Sequence, residues 1–365
     1  MSEPDTLNED PSLTLIRTLG LTAVADRYEP VCPIGASYGG SSFVGRDLET
    51  DAKVFMKYLI CPRGPIEKAK FQLERDALKH PALFDRKVTP TLLHYEEFPD
   101  LLTDVIVTNF IDGESLSAWL KRSGTLSMDE KLAVFHRIVL ALSGATLIFE
   151  HRDVHPGNIL LLPLETVKMG PDFDEEEIEP GVRILDWGEA MPVLVGGFQD
   201  EPDYHFTMAA ASPTMLSGSI TNLPPETFKP HKKNTFFGGE YDSWGMGLLL
   251  YSLLTDKSPP RAPSLGHYAQ EVHDGTLKNW VNREVISTTA IEVPGGQVIQ
   301  WLLRWLLEID PTNRATLSDA GRVLWDVRYE EFFTDENAIL KEYFKNPREY
   351  VPPGGWAHSS IPYYD

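Results

Sequence analysis

Cysteine is scarce: Cys32 and Cys61 are the two in 365 residues, and neither sits in a CxxC pair or a Cys/His cluster. That excludes a disulfide-framed secreted scaffold and a cysteine metal knot, and fits a reducing cytosol. Basic charge is also short. The 33 Lys and Arg face 54 Asp and Glu, a net charge of −21, which repels nucleic-acid phosphates and anionic lipid while permitting a basic protein partner. Long hydrophobic runs are missing as well. The longest largely apolar stretch, Gly245 to Leu254, stops short of the roughly 20 residues a bilayer helix needs. The opening MSEPDTLNED is acidic, unlike the basic start of a signal peptide. No internal repeat or low-complexity tract stands out. These absences set the expectation of a cytoplasmic protein that binds neither nucleic acid nor membrane, and they leave its oligomeric state open.

What is present falls into two unlike parts, an α+β chain of two lobes. Over residues 28–111, RYEPVCPIG, SSFVGRD and KVFMKYLI read as strands. IEKAKFQLERDALKH has helical spacing at Ile66, Phe71, Leu73 and Leu78. This predicts a small β-rich lobe with one main helix. Residues 112–330 turn helical, as in KLAVFHRIVLALSGATLIF and WGMGLLLYSLLT, with short strands at NILLL and VRILDW. Asp112 and Gly113 carry turn chemistry at the change of pattern. Residues 1–27 form an N-terminal extension, 163–181 a Pro/Gly-bounded acidic insert read as a solvated loop, and 331–365 a Pro- and Tyr-rich tail.

The most specific motif is HRDVHPGN, residues 151–158, which matches the H-R-D-x-x-x-x-N loop of phosphoryl-transfer enzymes. Upstream, KVFMK ends at Lys57 and FQLERDALKHP offers Glu74; downstream, ILDWGEA places Asp186 after a hydrophobic strand. In this order the segments resemble the protein kinase family over roughly residues 28–330, so the resemblance implies a bilobal kinase fold using ATP and Mg2+. Phosphoryl transfer asks a protein to place a hydroxyl in line with the γ-phosphate and to offset charge on its oxygens. The resemblance assigns Asp153 as base, Lys57 to the α- and β-phosphates with Glu74 as its partner, and Asn158 and Asp186 to magnesium. Gly35, Ser37 and Gly40 of IGASYGGSSFVGRD fall on the glycine-rich loop, with Ser37 in place of its second glycine. Thr108 aligns with the residue behind the adenine pocket, Asn109 through Ile111 with the backbone segment that meets the base, and Leu160 with the pocket floor.

LPPE at 223–226, Asp242 in EYDSWGMG and Arg314 in IDPTNR match features of protein-directed members of the family, where an equivalent Glu226–Arg314 pair locks the substrate platform. Ser219 in GSITNLPPE falls where Ser/Thr kinases keep a hydroxyl near the catalytic Asp. The chain departs from the pattern elsewhere. His155 stands where most of these enzymes place a lysine on the transferring phosphate, and HPGN is locally similar to aminoglycoside and choline phosphotransferases and to haspin. An imidazolium at His155 is the expected substitute. Trp187 replaces the usual Phe after Asp186, as in casein kinase 2. Phe55 replaces the small residue above the adenine. Arg152, which in the family often binds an activation-loop phosphate, is expected to meet Asp200, Glu201 or Asp203 without modification. The residues thus favour a Ser/Thr protein kinase acting on a protein substrate, and leave open a small-molecule phosphotransferase or a non-catalytic scaffold of the same fold.

Overall fold

A computed structural model describes residues 10–37, 40–146, 149–173, 177–192, 222–228, 240–285 and 295–329. It divides into two compact units between Asp112 and Gly113.

The first unit is an antiparallel sheet of β1 (Tyr28–Ser37), β2 (Gly40–Asp47), β3 (Lys53–Ile60), β4 (Leu92–Phe98) and β5 (Thr103–Asn109), in the order β1-β2-β3-β5-β4. Pro30 and Pro33 lie on β1, an edge strand with register irregularities beside both, where a residue without an N–H is tolerated. In β2, a side chain at Gly45 would meet Met56 Sδ at 2.5 Å and the Glu29 carbonyl at 2.9 Å, so only glycine lets the three strands close up there. Alternation along β3 gives the sheet two faces. Val54, Met56 and Tyr58 point to one, where they join Phe43, Val105 and Val107. Lys57 and Leu59 alternate to the other, where Leu59 and Ile106 form a cluster with Phe71 and Leu78.

A helix covers each face. Helix α1 (Pro11–Thr18) starts on an Asp10 cap whose carboxylate accepts from the Ser12 N–H at 2.8 Å, and it buries Leu13 and Ile16 in the Val54 cluster. The N-terminal extension therefore contributes to this unit's core. Helix α2 (Pro65–Lys79) begins on a proline and buries Phe71, Leu73, Glu74 and Leu78. Ile66, the first apolar position of its expected stripe, is exposed. The short α3 (Pro81–Asp85) follows directly.

The second unit is mainly helical. Its small sheets are β6 (Glu114–Ser115), β8 (Ile159–Leu161) and β9 (Val182–Ile184) in the order β6-β8-β9, and β7 (Phe149–Glu150) with β10 (Met191–Pro192). The helices are α4 (Leu116–Leu120), α5 (Met128–Ala145), α6 (Glu240–Thr255), α7 (Leu265–Asp274), α8 (Thr276–Trp280), α9 (Gly296–Leu306) and α10 (Leu317–Tyr329). A capping box of Ser127 and Glu130 starts α5. Helix α6 is buried almost all round from Asp242 to Leu253, the mark of a core helix. Gly247 lets it approach Leu307, since a side chain there would meet Leu307 at 2.8 Å. The acidic insert is tied down at its ends. The buried Arg137 guanidinium donates to the carbonyls of Pro180 and Gly181, both at 2.7 Å, and of Leu162 at 3.1 Å, and Lys168 bridges Glu179. No described helix is long and apolar enough to cross a membrane, and both cysteines are exposed free thiols.

Candidate active site

The expected site residues fall into two constellations, one in each unit. In the first, Lys57 on β3 meets Glu74 in the middle of α2, Nζ to Oε2 at 2.6 Å, with side chains 19% and 8% exposed. The pairing follows from the local sequence. Position 57 alternates onto the α2 face, and position 74 lies on the helix stripe that packs there, three residues beyond Phe71.

The expected nucleotide-pocket residues of this unit are unevenly placed. Gly35, Ser37 and Gly40 flank the β1–β2 turn, with Ser37 opposite Gly40 and Gly35 opposite Ser42 in the ladder. Phe55 and Thr108 pair directly across β3 and β5; Phe55 is half-buried and Thr108 buried. Phe55 lies on the Lys57 side of the strand, away from the Val54 cluster. The Asn109 N–H is committed to the Thr91 carbonyl at 3.0 Å, and its side-chain Oδ1 accepts from the Thr91 N–H at 2.6 Å. Asn109 thus closes the end of the sheet with its N–H engaged, while its carbonyl, which accepts the Thr108 hydroxyl at 3.3 Å, keeps a second lone pair.

In the second unit the loop from His151 to Asn158 hangs from α6. Asp242, fully buried, accepts from the backbone N–H groups of His151 at 2.6 Å and Arg152 at 2.8 Å. Burial pushes its carboxyl up, and these two donors pull against that shift. The loop then folds on itself. Asn158 Nδ2 donates to the Asp153 carbonyl at 3.1 Å and to Asp153 Oδ2 at 3.3 Å, which turns the amide oxygen Oδ1 to the opposite side. His151 bonds the Leu185 carbonyl at 2.9 Å and accepts from the Asp153 N–H at 3.2 Å, while the Leu185 N–H donates to the Asn158 carbonyl at 2.8 Å. The strand carrying Asp186 is thereby laced to the loop carrying Asp153 and Asn158. Asp186 itself sits at φ 60, a left-handed conformation that Asp tolerates better than most residues. Trp187 is fully buried, donates Nε1 to the Ile184 carbonyl at 3.0 Å, and packs edge-on against His151 at 4.7 Å. Leu160 lies between the buried Ile159 and Leu161 on β8, opposite Arg183.

His155 Nε2 lies 3.5 Å from Asp153 Oδ2. The hydrogen bond and charge of Asp153 push the imidazole pKa up against its partial burial, with Asp186 adding to the rise. The other ring nitrogen opposes this, because Nδ1 accepts the Gly157 N–H at 3.0 Å, and only an unprotonated nitrogen can accept. The expected imidazolium therefore forms here only if Gly157 is released.

The Glu226–Arg314 pair is made in full. Two guanidinium nitrogens meet the two carboxylate oxygens at 2.7 and 2.8 Å, Arg314 also donates to the carbonyls of Glu240 and Glu308, and it lies over the Trp244 ring at 5.3 Å with no exposure. Asn222 ties this region to the loop through a 2.9 Å bond to the Val154 carbonyl.

Sequence reasoning missed Glu150. Arg152 Nε bonds Glu150 Oε2 at 3.2 Å and stacks over Tyr241 at 4.7 Å, so the arginine already has an acidic partner two residues away. Burial pushes the Glu150 carboxyl up to about 8. The signal was the acid directly before His151 in FEHRD. Ser219, and Asp200, Glu201 and Asp203, lie outside the described residues.

Oxygen donors at Asn158 and Asp186 suit a hard cation that keeps water and phosphate oxygens as its remaining ligands, the habit of Mg2+. Among the described residues no group of three or more His, Cys, Asp or Glu is placed to hold a metal ion.

Over 234 residues the chain is 24% identical to the serine/threonine-protein kinase RAD53 of Saccharomyces cerevisiae, covering 62% of this chain and 25% of that one. Over 337 residues it is 26% identical to the serine/threonine-protein kinase ATG1 of Debaryomyces hansenii, covering 84% and 34%. Over 232 residues it is 26% identical to human NUAK family SNF1-like kinase 2, covering 63% and 30%. The chain thus spans a quarter to a third of the length of these relatives. The family model described as the protein kinase domain matches residues 28–325, from the start of β1 into α10, and the chain belongs to that family.

Proposed function

We propose that the chain is an ATP-dependent protein kinase that transfers the γ-phosphoryl group of ATP to serine or threonine hydroxyls of a protein substrate. The observation that carries the reading is the loop from Asp153 to Asn158, whose acid and amide are held against each other at 3.3 Å by a backbone suspended from Asp242. Asp153 orients the substrate hydroxyl and accepts its proton as the bond to phosphorus forms. Lys57, held by Glu74, places positive charge on the α- and β-phosphates. Asn158 Oδ1 and the Asp186 carboxylate would hold Mg2+, which when bound would offset charge on the phosphate oxygens. The Glu226–Arg314 lock supports a protein substrate over a small molecule, since it braces a platform beyond the reacting atoms. The serine/threonine kinases named above support hydroxyl acceptors of that type.

The test is incubation of purified protein with γ-labelled ATP, magnesium and a panel of protein substrates, beside Asp153→Ala. Label on serine or threonine that falls about 10²–10⁴-fold in the variant is the expected result; label of equal intensity in both would refute it. Phe55 favours a second reading, a nucleotide-binding scaffold, because its ring lies on the Lys57 side of β3. ATP binding without transfer in the parent, with transfer gained in Phe55→Ala, would select that reading.

A further inference from the structure

A cavity of about 760 Å³ opens in the second unit directly beside the catalytic loop. Its lining includes the loop itself from Val154 to Gly157, part of α6, the segment after α6 that carries Lys257 and Arg261, and Ser117 of α4. The charge of this lining differs from that of the whole chain. Among the described lining residues the one carboxylate, Asp256, is bonded to the buried Lys131 at 2.8 Å. Lys257 and Arg261 are exposed, and neither has a carboxylate partner among the described residues. The loop wall adds no acid: between Asp153 and Asn158 it carries Val154, His155, Pro156 and Gly157. Any side chain at position 157 would strike the His155 ring at 2.8 Å, so the cavity stays open toward the loop.

We infer that this cavity binds an acidic segment of the protein substrate flanking the phosphorylated residue, with Lys257 and Arg261 as the charges that select it. The inference rests on the protein kinase reading and names its substrate class. Two cations without a carboxylate partner among the described residues, beside an Asp256 already engaged by Lys131, attract carboxylates and repel the basic segments that the net charge of −21 would otherwise permit. The long-range field of the acidic chain does not cancel this, because screening at physiological salt confines interactions between exposed charges to about 8 Å. Selection is therefore made at contact and weakens with added salt.

The test uses the full chain and peptides identical except for glutamate, alanine or lysine on both sides of one serine. kcat and KM are measured for each, and fluorescence anisotropy reads binding without turnover. The expected order of kcat/KM is Glu, then Ala, then Lys. In the double variant Lys257→Glu, Arg261→Glu, the Glu-to-Lys ratio falls about tenfold or more through KM, an amount in keeping with reversing two exposed charges. A parent that prefers the lysine peptide, or a ratio unchanged in the double variant, overturns the inference. If no peptide is phosphorylated, the kinase reading fails separately and anisotropy decides this one. Tighter binding of the glutamate peptide to the parent than to the double variant sustains it, and equal binding ends it.

Discussion

Glu74 and His136 show how one buried side chain can carry a measurable consequence. Lys57 keeps its place through a 2.6 Å contact with Glu74, and Glu74→Gln removes the charge that holds it. ATP affinity of that variant, measured by calorimetry, is expected to fall about tenfold, the worth of one well-placed charged hydrogen bond; unchanged affinity would separate the pair from nucleotide binding. His136 is buried on α5 against Trp325 and Tyr329, with Arg328 at 3.3 Å from Nδ1. Burial first, and the Arg328 charge second, lower its pKa to about 3 from an ordinary value of 6.5. Between those values the unfolded chain binds a proton that the folded chain refuses, so stability falls as pH drops from 6.5 toward 3. Chemical denaturation of His136→Phe at pH 7 and pH 4 should show a smaller acid loss than the parent, by up to a few kcal/mol. At this scale the meeting of Lys57 with Glu74 and of Asn158 with Asp153 was legible, because phosphoryl transfer asks for those residue types at those spacings. The constraint on Asn109 was not, since nothing in the chain around it announces that Thr91 consumes its N–H.

At the scale of elements, periodicity exposed β3, α2, α5 and α6, whose apolar positions repeat over long stretches. Helix α1 escaped notice because eight residues with two buried side chains give too little pattern, and the motif-bearing region starts only at Tyr28. Yet Ile16 is fully buried among Val54, Met56 and Tyr58. Ile16→Ala is expected to cost about 2–5 kcal/mol in urea unfolding, and a loss under 1 kcal/mol would mean α1 does not belong to that core. The Glu226–Arg314 pair joins the segment before α6 to the one before α10. Glu226→Gln leaves a guanidinium with no exposure short of its counter-charge, and the expected destabilisation is about 3–5 kcal/mol. A melting temperature equal to the parent's would contradict that. The insert at 163–181 read as a solvated loop from its acids alone; its anchoring by Arg137 was invisible because the acceptors are backbone carbonyls, which no side-chain pattern reports.

Across the whole chain, motif order conveyed the family more securely than any one motif did, and the family match from 28 to 325 spans both compact units. Net charge is a coarser guide. A value of −21 permits a basic partner, while the cavity beside the loop from Val154 to Gly157 presents Lys257 and Arg261; a summed charge does not say where its minority sign is gathered. The central claim is that Asp153 serves as base in a phosphoryl transfer. Its most direct test is a single-turnover measurement of γ-phosphate transfer to a serine peptide at saturating ATP, in the parent and in Asp153→Asn. The account predicts transfer in the parent and a rate about 10²–10⁴-fold lower in the variant; equal rates in the two proteins, or none in the parent, would contradict it.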